Sequence, residues 1–398
     1  MALDHIAVIG ASLAGTTAIE TLREGGFSGR LTLLDGSTAL PTDRPPLSKG
    51  VLAGTTEPER AALPAASTLA DLDLDLRLGE RATGLDVATH TVTTDRGVLA
   101  ADAVLIATGA TPRRLDSPLA GVHALRTMAD CLAIRADLDA GPDRVVVVGA
   151  GFIGAEVAAT CRARGHDVTM IETQDLPMQR VLPGAIGRFV AELHRDEGVD
   201  VRLGIGIDSL EGGDRVERVR LTDGTVLDAE VVIAGIGVTP ETGWLADSGL
   251  SVSNGVRCDA SLLAAPGVAV AGDVCEWPNE LYGQLMRVEQ WENAIEQGSH
   301  AAKRLLHGDS PDPEAFSSVP WFWSDQFDRK IQLAGRVSPT DEVLVADGSV
   351  SDRRFVALFR SGDRCSAVLG VNRPRHVVQL RMKMATPLSW DDALAHFS

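Results

Sequence analysis

Continuous apolar runs that stop at a glycine recur along the chain. Ile6–Ile9 and Val145–Val148 are each followed at once by a glycine-rich turn. A run without polar alternation is typical of a strand buried on both faces, as in a parallel sheet. A helical stretch follows each turn and reaches Arg23 in the first case and Arg164 in the second. The pattern therefore predicts two strand–turn–helix units.

A second strand and an acidic residue complete each unit. Leu31–Leu34 leads to Asp35, and Val168–Ile171 leads to Glu172. The order strand, glycine-rich turn, helix, strand, acid is the βαβ fingerprint of dinucleotide-binding domains. We therefore expect two dinucleotide sites in one chain.

A second pair of similar strands follows the two units in the same order. Val104–Ala107 precedes Thr108 and Gly109, and Val231–Ala234 precedes Gly235. The repeat thus has at least two parts, which favours two related α/β domains.

The last third of the chain has a different pattern. Residues 268–271 form another short apolar run that ends in Gly272-Asp273, and residues 291–306 predict a helix. Residues 310–313 are typical of a linker. Beyond them, four alternating segments predict antiparallel strands, at 331–333, 342–345, 354–359 and 366–369.

Composition and charge narrow the functional classes. The 398 residues suggest two to three domains, and the net charge of −18 disfavours nucleic acid and anionic membranes as partners. The five cysteines lack CxxC spacing, which disfavours a zinc site and a redox-active disulfide, and we expect no metal. The chain shows neither a signal peptide nor a bilayer-spanning run, so we expect a cytoplasmic protein.

The second fingerprint has all three glycines, Gly149, Gly151 and Gly154. They permit the tight turn, the approach of a pyrophosphate, and close packing of the helix on the strand. Glu172 is placed to accept hydrogen bonds from an adenosine ribose and to repel a 2′-phosphate, which favours NADH over NADPH. Arg180, farther along, weakens that preference. The alternative is a glycine turn that serves packing alone.

The first fingerprint, Gly10 to Gly15, has Ser12 where the second glycine is expected. A side chain there narrows the approach to a pyrophosphate. Asp35, which follows Gly15 by the usual spacing, favours dinucleotide binding nonetheless. FAD is the expected ligand, since the first of two such sites in one chain usually holds the flavin.

Three further features carry candidate chemistry. The segment Arg44-Pro45-Pro46-Leu47-Ser48-Lys49 is rigid and basic, which suits pyrophosphate and flavin contacts or merely a proline loop with solvated charges. Asp273 lies at the end of a predicted strand, where α/β sheets bind ligands, or in a simple turn. The scarce aromatic residues cluster at Trp291 and at 321–327, either as core or as rings that pack on a flavin.

Together these motifs resemble the FAD-dependent NADH:ferredoxin reductases that serve Rieske oxygenases and bacterial cytochromes P450. The markers are the segment 44–49, Ala107-Thr-Gly109, Leu125-Arg126-Thr127, the Gly149 fingerprint with Glu156, Gly272-Asp273-Val274, residues 289–294 and Trp323-Ser-Asp-Gln326. Thr42-Asp43 departs from the family, which often has an aromatic residue there.

The resemblance implies an α/β fold with two Rossmann-like, glutathione-reductase-like domains and a C-terminal α+β interface domain. The implied FAD domain comprises 1–112 and 246–318, the NAD domain 113–245 and the C-terminal domain 319–398. The implied catalytic residues are Lys49, Glu156, Glu289, Trp291 and Trp323. The cofactor-binding residues indicated by motif or resemblance are Gly10, Ser12, Leu13, Ala14, Gly15, Asp35, Arg44, Pro45, Lys49, Ala82, Ala107, Thr108, Gly109, Arg126, Gly149, Gly151, Phe152, Ile153, Gly154, Glu156, Glu172, Gly235, Ile236, Gly237, Gly272, Asp273, Val274, Glu289, Gln290, Trp291, Ala294 and Trp323.

The implied reaction takes a hydride from NADH to FAD and passes single electrons to an acidic iron–sulfur ferredoxin, [2Fe–2S] or related. That ferredoxin would feed a cytochrome P450 or a Rieske oxygenase. An acidic partner needs a basic surface, for which Lys303, Arg304, Arg329, Lys330, Arg373 and Arg375 are candidates.

Three alternatives stay open at this point: a rubredoxin reductase, a NADH-sensing flavoprotein like apoptosis-inducing factor, and a disulfide or peroxide reductase. The last requires a redox cysteine, which the segment 45–48 lacks.

Overall fold

The computed structural model describes residues 3–63, 69–179, 181–182, 184–308 and 312–398. Arg180 and the Ser310-Pro311 part of the predicted linker lie outside these residues.

The strands are, in chain order, β1 (His5–Ile9), β2 (Arg30–Asp35), β3 (Leu74–Leu78), β4 (Ala82–Asp86), β5 (Thr91–Thr94), β6 (Gly97–Ala100), β7 (Ala103–Ile106), β8 (Ala110–Pro112), β9 (Val122–Ala124), β10 (Arg144–Val148), β11 (Asp167–Glu172), β12 (Asp200–Leu203), β13 (Ile207–Gly212), β14 (Val216–Leu221), β15 (Val226–Asp228), β16 (Val231–Ala234), β17 (Val238–Pro240), β18 (Val256–Arg257), β19 (Leu263–Ala265), β20 (Val268–Val270), β21 (Cys275–Asn279), β22 (Gln284–Met286), β23 (Trp321–Gln326), β24 (Arg329–Gly335), β25 (Glu342–Ser349), β26 (Arg354–Ser361) and β27 (Arg364–Val371). The α-helices are α1 (Leu13–Glu24), α2 (Gly50–Ala53), α3 (Met128–Asp139), α4 (Phe152–Ala163), α5 (Ala185–Asp196), α6 (Trp291–Leu306), α7 (Pro374–Lys383) and α8 (Trp390–Leu394). Short 3-10 helices lie at Pro45–Ser48, Pro58–Ala61, Leu69–Asp71, Gly243–Leu245, Gly272–Val274 and Ala395–Phe397.

The chain forms two compact units. The first comprises Met1–Asp43, Ala62–Thr111 and Thr239–Phe322, and the second comprises Arg44–Ala61, Pro112–Val238 and Trp323–Ser398. The division into FAD, NAD and C-terminal domains, with its boundaries, stays a prediction.

A six-stranded sheet with the order β19-β20-β7-β1-β2-β3 is the centre of the first unit. Its neighbours pair in parallel except for β19 and β20. The core strands are apolar and buried on both faces, as the uninterrupted runs predict. Helices α1 and α6 pack together closely, because a Cβ at Gly298 would lie 2.4 Å from the Ala14 carbonyl oxygen. Two smaller sheets, β4-β5-β6 and β18-β21-β22, complete this unit.

The second unit contains an all-parallel five-stranded sheet with the order β12-β11-β10-β16-β9. A separate sheet with the order β23-β24-β27-β26-β25 forms from its last segment, and α7 packs on β24 and β27. The rings of Phe189 in α5 and Phe355 in β26 meet edge to face, with centroids 5.4 Å apart.

The strands and helices predicted in both repeats, at 291–306 and in the four late segments are confirmed. Among the elements that the sequence pattern did not predict are β3, β9, β12, β23, the small antiparallel sheets and helices α2, α3, α5, α7 and α8. Several of these elements are short, such as β4 and α8. In β23 the buried face carries Phe322, Ser324 and Gln326, so alternation of apolar and polar residues does not show the strand.

Candidate functional site

The two glycine-rich turns have the same backbone hydrogen bonds. The Gly10 amide donates to Leu34 O and the Gly149 amide donates to Ile171 O, both at 2.7 Å. The residues that follow β7 and β16 are also equivalent. The Ala107 amide donates to Ile9 O at 2.8 Å, and the Gly235 amide donates to Val148 O at 2.7 Å. The repeat seen in the sequence is therefore a structural repeat, turn for turn.

The fold requires the first and third glycine of each turn. Gly10 and Gly149 have φ of +110° and +97°, and a Cβ would lie 2.3 Å from Ala107 O and 2.4 Å from Gly235 O respectively. At the third position, a Cβ on Gly15 or Gly154 would lie 1.9 Å from the carbonyl oxygen of the first glycine. A side chain at any of these four positions forces the backbone apart.

The second glycine position is different, which explains Ser12. Among the described residues, a Cβ on Gly151 would meet only Gly235 O, at 4.0 Å. Ser12 has φ −89° and ψ −167°, and Gly151 has φ −75° and ψ −175°, so both residues adopt the extended backbone that any residue tolerates. The packing of the described residues therefore does not require glycine at the second position. Any requirement for glycine there comes from a ligand.

Both acidic residues hold the turn that precedes them. Asp35 Oδ2 accepts from the Ala11 amide at 2.7 Å, and Glu172 Oε2 accepts from the Ala150 amide at 2.8 Å. The other oxygen of each carboxylate accepts an amide two residues onward, Ser37 and Gln174 respectively. A carboxylate has about four acceptor sites, so capacity remains for ribose hydroxyls.

Within the part of the chain that the structure describes, the N-cap residues Ser12 and Gly151 make no side-chain hydrogen bond to the N-terminus of α1 or α4. The first N–H groups of a helix have no partner inside the helix, and they carry a partial positive charge. An uncapped helix that begins beside a glycine cradle is the arrangement that binds a pyrophosphate. Both turns therefore fit a dinucleotide.

In the first unit, residues from distant positions meet the first turn. A Cβ at Gly272 would lie 3.1 Å from Ala14 Cβ and 4.0 Å from Ala294 Cβ. The Gly272 amide donates to Gln297 Oε1 at 2.9 Å. The strand end predicted to bind a ligand at 272–274 is thus beside the glycine turn.

Glu289 is held in the same unit through a residue that the sequence analysis missed. Arg287 Nη1 lies 2.6 Å from Glu289 Oε1 and donates to Asp273 O at 3.0 Å. Trp291 begins α6, and its Nε1–H donates to Asp43 Oδ1 at 2.8 Å. Asp43 belongs to the Thr42-Asp43 pair that departs from the family pattern. One of the two departing residues is therefore the hydrogen-bond acceptor of Trp291.

In the second unit, the buried Glu156 carboxylate accepts hydrogen bonds from donors in two other chain segments. Oε2 accepts from Ser48 Oγ at 2.5 Å and from Lys49 Nζ at 2.7 Å. Oε1 accepts from Ser324 Oγ at 2.8 Å and from the Asp325 amide at 3.2 Å. The side chain of Glu156 is 4% exposed and that of Lys49 is 22% exposed, so the pair is buried on one side only.

The segment that carries Ser48 and Lys49 is fixed by helices α3 and α4. Thr160 Oγ1 donates to Ser48 O at 2.7 Å, and Arg164 Nη1 donates to Leu52 O at 2.7 Å. The Cys131 thiol donates to Leu47 O at 3.2 Å. Lys49 therefore projects from a backbone with little freedom.

The remaining predicted residues lie as follows. Ser12 and Gly151 are the N-caps of α1 and α4, Leu13 and Phe152 begin these helices, and Ile153 is 46% exposed in the first turn. Arg44 and Pro45 begin the 3-10 helix 45–48, Ala82 begins β4, and Arg126 lies just before Thr127, the N-cap of α3. Thr108 Oγ1 donates to Glu241 O, and Gly109 and Gly237 have positive φ. Ile236 lies between Gly235 and Gly237, and Val274 is buried. Gln290 is the N-cap of α6, and Trp323 lies in β23. The role of each as a binding or catalytic residue stays a prediction.

All five cysteines are free and buried. Burial raises the pKa of Cys131 to about 11, that of Cys161 to about 12 and that of Cys365 to about 11. A thiol that stays protonated is a poor nucleophile, so these cysteines do not suit disulfide chemistry. Within the described residues, no His, Cys, Asp and Glu side chains are grouped as a metal ion requires, and no helix is long and apolar enough to cross a bilayer.

Ser48, Ser324 and Arg287 are the functional candidates that the sequence analysis did not single out. Ser48 and Ser324 stand within the quoted motifs, each beside a predicted site residue. A signal was therefore present, but which polar neighbour turns inward depends on packing.

Comparison with known proteins assigns the family. Residues 4–298 match the model described as pyridine nucleotide-disulphide oxidoreductase, and residues 321–396 match the model described as reductase C-terminal. The chain belongs to the pyridine nucleotide-disulphide oxidoreductase family. It therefore has the predicted α/β fold with a C-terminal reductase domain, and the family uses a flavin and a pyridine nucleotide.

Two relatives and one solved structure illustrate the likeness. The 5,5′-dehydrodivanillate O-demethylase ferredoxin reductase subunit of Sphingobium sp. is 37% identical, over 94% of this chain and 91% of that protein. Rhodocoxin reductase of Rhodococcus erythropolis is 36% identical, over 96% of this chain and 90% of that protein. The crystal structure of the covalent putidaredoxin reductase–putidaredoxin complex matches with a TM-score of 0.90 at 32% identity, covering 96% of this chain and 93% of that one. The family resemblance stated from the motifs is confirmed.

Proposed function

We propose that this chain is a NADH-dependent flavoprotein ferredoxin reductase. It takes electrons from NADH and passes them singly to an iron–sulfur ferredoxin that feeds a cytochrome P450 or a Rieske oxygenase. The observation that carries the proposal is the pair of equivalent dinucleotide turns at Gly10 and Gly149 in one chain. Two relatives are named ferredoxin reductase subunit and rhodocoxin reductase, and these names support a protein as the electron acceptor.

The Gly10 turn is assigned to FAD and the Gly149 turn to NADH. Asp35, the uncapped α1 and the close approach of Gly272 and Ala294 fit a dinucleotide at the first turn. Glu172 at the second turn disfavours a 2′-phosphate through charge repulsion, which supports NADH over NADPH. FAD, when bound, accepts two electrons as a hydride and releases them one at a time.

The chain's own residues position and tune rather than react. Glu156 fixes the Lys49 ammonium at 2.7 Å, so a positive charge stands at a defined place in the second unit, and the family resemblance implies that this charge tunes the flavin. Asp35 and Glu172 accept the amides of Ala11 and Ala150 and so hold the two turns in the shape that would bind a pyrophosphate. Such preorganised charge acts more strongly in a partly buried site than in water.

The acceptor surface is proposed on the C-terminal segment. Arg375, Val378 and Met382 are exposed and share one face of α7, where Val378 is 47% and Met382 is 73% exposed. A basic and apolar face in a chain of net charge −18 suits an acidic protein partner. Of the other candidates, Lys330 pairs with Asp325 and Arg373 pairs with Asp347, so their charges are partly neutralised.

Purification and titration test the function. The protein is expected to show a flavin spectrum, to be reduced by NADH faster than by NADPH, and to reduce cytochrome c only when a [2Fe–2S] ferredoxin is added. A protein that takes up no FAD contradicts the proposal. Cytochrome c reduction that needs rubredoxin instead favours the rubredoxin reductase, and a long-lived reduced complex without turnover favours the NADH sensor.

A disulfide or peroxide reductase is not proposed, because the buried cysteines with raised pKa values offer no nucleophile. The cytoplasmic location stays a prediction, as do the acidic character of the ferredoxin and its cluster type.

A further inference from the structure

A chain of buried polar side chains continues from Glu156 away from Lys49. Ser324 Oγ lies 2.8 Å from Glu156 Oε1, and Gln326 Nε2 lies 3.1 Å from Ser324 Oγ. Gln326 Oε1 lies 3.0 Å from Nε2 of His194 in α5. Ser324, Gln326 and His194 are all fully buried. The five side chains belong to the second unit, and three separate segments of that unit supply them.

The carboxylate at one end fixes the direction of every hydrogen bond. An ionised carboxylate only accepts, so the Ser324 hydroxyl donates to Glu156. The Ser324 oxygen then accepts from the Gln326 amide nitrogen, which leaves the amide oxygen to accept from His194 Nε2–H. His194 is therefore the Nε2–H tautomer, and each donor points toward Glu156.

The surroundings of His194 agree with this tautomer. Burial lowers its pKa to about 4, and the hydrogen bond to Gln326 only partly opposes the shift. The ring is neutral near pH 7, as the direction of the chain requires. Its Nδ1 has no hydrogen-bond partner among the described residues, and the ring packs against Phe327 with centroids 5.1 Å apart.

Such a chain is costly for a core that needs only stability. A buried amide and imidazole are stabilising only when fully hydrogen-bonded, and one acceptor here is not. Apolar side chains fill the neighbouring core of the same sheet, at Phe355 and Leu369 for example. The retained polar chain therefore indicates a task at its other end, where Glu156 meets Lys49.

We infer that His194 and Gln326 are positioning residues that, through Ser324, hold the Glu156 carboxylate and hence the Lys49 ammonium in place. Ser48 and Lys49 approach one carboxylate oxygen, and Ser324 and Asp325 approach the other. Loss of the Ser324 side frees the carboxylate to rotate, because only one of its oxygens stays restrained by side chains. The consequence for NADH-dependent flavin reduction rests on the proposed function.

Kinetic measurements in the wild-type protein and in the Lys49→Met variant test the inference. Ser324→Ala is expected to lower the rate constant for flavin reduction by NADH about tenfold, as loss of a hydrogen bond to a charged group does. Gln326→Leu is expected to lower it about tenfold as well, because it leaves the buried Ser324 oxygen and His194 Nε2–H without partners. Ser324→Thr keeps a hydroxyl and restores most of the rate. Gln332→Met, which changes a buried glutamine of β24 outside the chain, keeps the wild-type rate.

The Lys49→Met background separates positioning from general destabilisation. If Gln326 acts through Lys49, Gln326→Leu has little further effect in Lys49→Met. An equal tenfold loss in both backgrounds overturns the inference. Should Gln326→Leu fail to fold, the Ser324→Ala and Ser324→Thr pair in the same two backgrounds gives the decision.

A measurement without turnover separates this inference from the proposed function. In holoprotein with ¹⁵N-labelled histidine, His194→Asn identifies the His194 signals, which are expected to be those of the neutral Nε2–H tautomer. Ser324→Ala should shift these signals, while Gln332→Met should not. If Ser324→Ala shifts the His194 signals in a protein whose flavin NADH does not reduce, the result contradicts the proposed function and supports the hydrogen-bonded side chains. If NADH reduces the flavin normally and Ser324→Ala leaves the His194 signals unmoved, the result supports the proposed function and overturns the inference.

Discussion

Lys49 and Glu156, 107 positions apart, form an ion pair with 2.7 Å between Nζ and Oε2. The Glu156 carboxylate is nearly buried and the Lys49 ammonium is partly exposed. The buried carboxylate therefore holds a positive charge in a fixed position that solvent can partly reach. Burying a carboxylate is favourable only with full hydrogen bonding, and four donors supply it here.

Removal of the ammonium tests its role. Lys49→Met is expected to slow flavin reduction by NADH by about 10- to 100-fold while FAD stays bound, because one charged hydrogen bond is lost. Stopped-flow absorbance at the flavin band measures the rate, and Lys303→Met on the exposed face of α6 is the control. An unchanged rate together with an unchanged flavin potential rules the role out.

The glycine turns predict opposite results at neighbouring positions. Gly151→Ser copies the first turn into the second and should change the unfolding midpoint little, because among the described residues only Gly235 O lies within reach of the added Cβ, at 4.0 Å. Gly149→Ala places a Cβ 2.4 Å from the same oxygen and should unfold or empty the NADH site. Thermal unfolding of both variants makes the comparison. Equal destabilisation of the two contradicts the explanation given for Ser12.

Glu172 is expected to set both turn geometry and nucleotide choice. Glu172→Ala removes two amide acceptors and one negative charge, so kcat/KM for NADH should fall about tenfold and the preference over NADPH should shrink. Glu230→Ala is a matched control, since Glu230 also accepts two backbone amides, at the opposite end of β10. A loss that is equal for the two variants would mean that only sheet stability was altered.

His194 makes stability depend on pH. Its folded pKa of about 4 lies below the ordinary value of 6.5, so the unfolded chain binds the extra proton between these values. Stability therefore falls as pH drops through this window, by about 3 kcal/mol in total. His194→Gln should flatten this part of the urea-unfolding profile, whereas His307→Gln, at an exposed site, should not. Parallel profiles for wild type and His194→Gln contradict the prediction.

The α7 face predicts salt-sensitive acceptor turnover. Arg375→Glu should raise KM for ferredoxin several-fold at low ionic strength and leave NADH-dependent flavin reduction unchanged, because it reverses a charge on the proposed docking face. Arg60→Glu, also exposed, is the control. The prediction fails if the two variants behave alike or if the effect persists at high salt.

Much of the fold was readable from the sequence. Apolar runs, glycines at fixed spacing and closing acids predicted both βαβ units, because these features depend on residues within about thirty positions. The first and third glycines were likewise predictable, since their conformations follow from the turn itself. The family resemblance rested on short motifs of the same kind.

The tertiary structure decided what distant residues do together. No spacing rule connects Lys49 with Glu156, or Ser324 and Gln326 with His194, because sheet packing and not local periodicity brings them into contact. Ser12 shows the same division. The sequence alone marked it as a defect in the fingerprint, while the packing around the equivalent Gly151 leaves room there, so the side chain costs the fold nothing. Local geometry was encoded in local sequence, and the polar network was fixed by which segments the folded chain packs side by side.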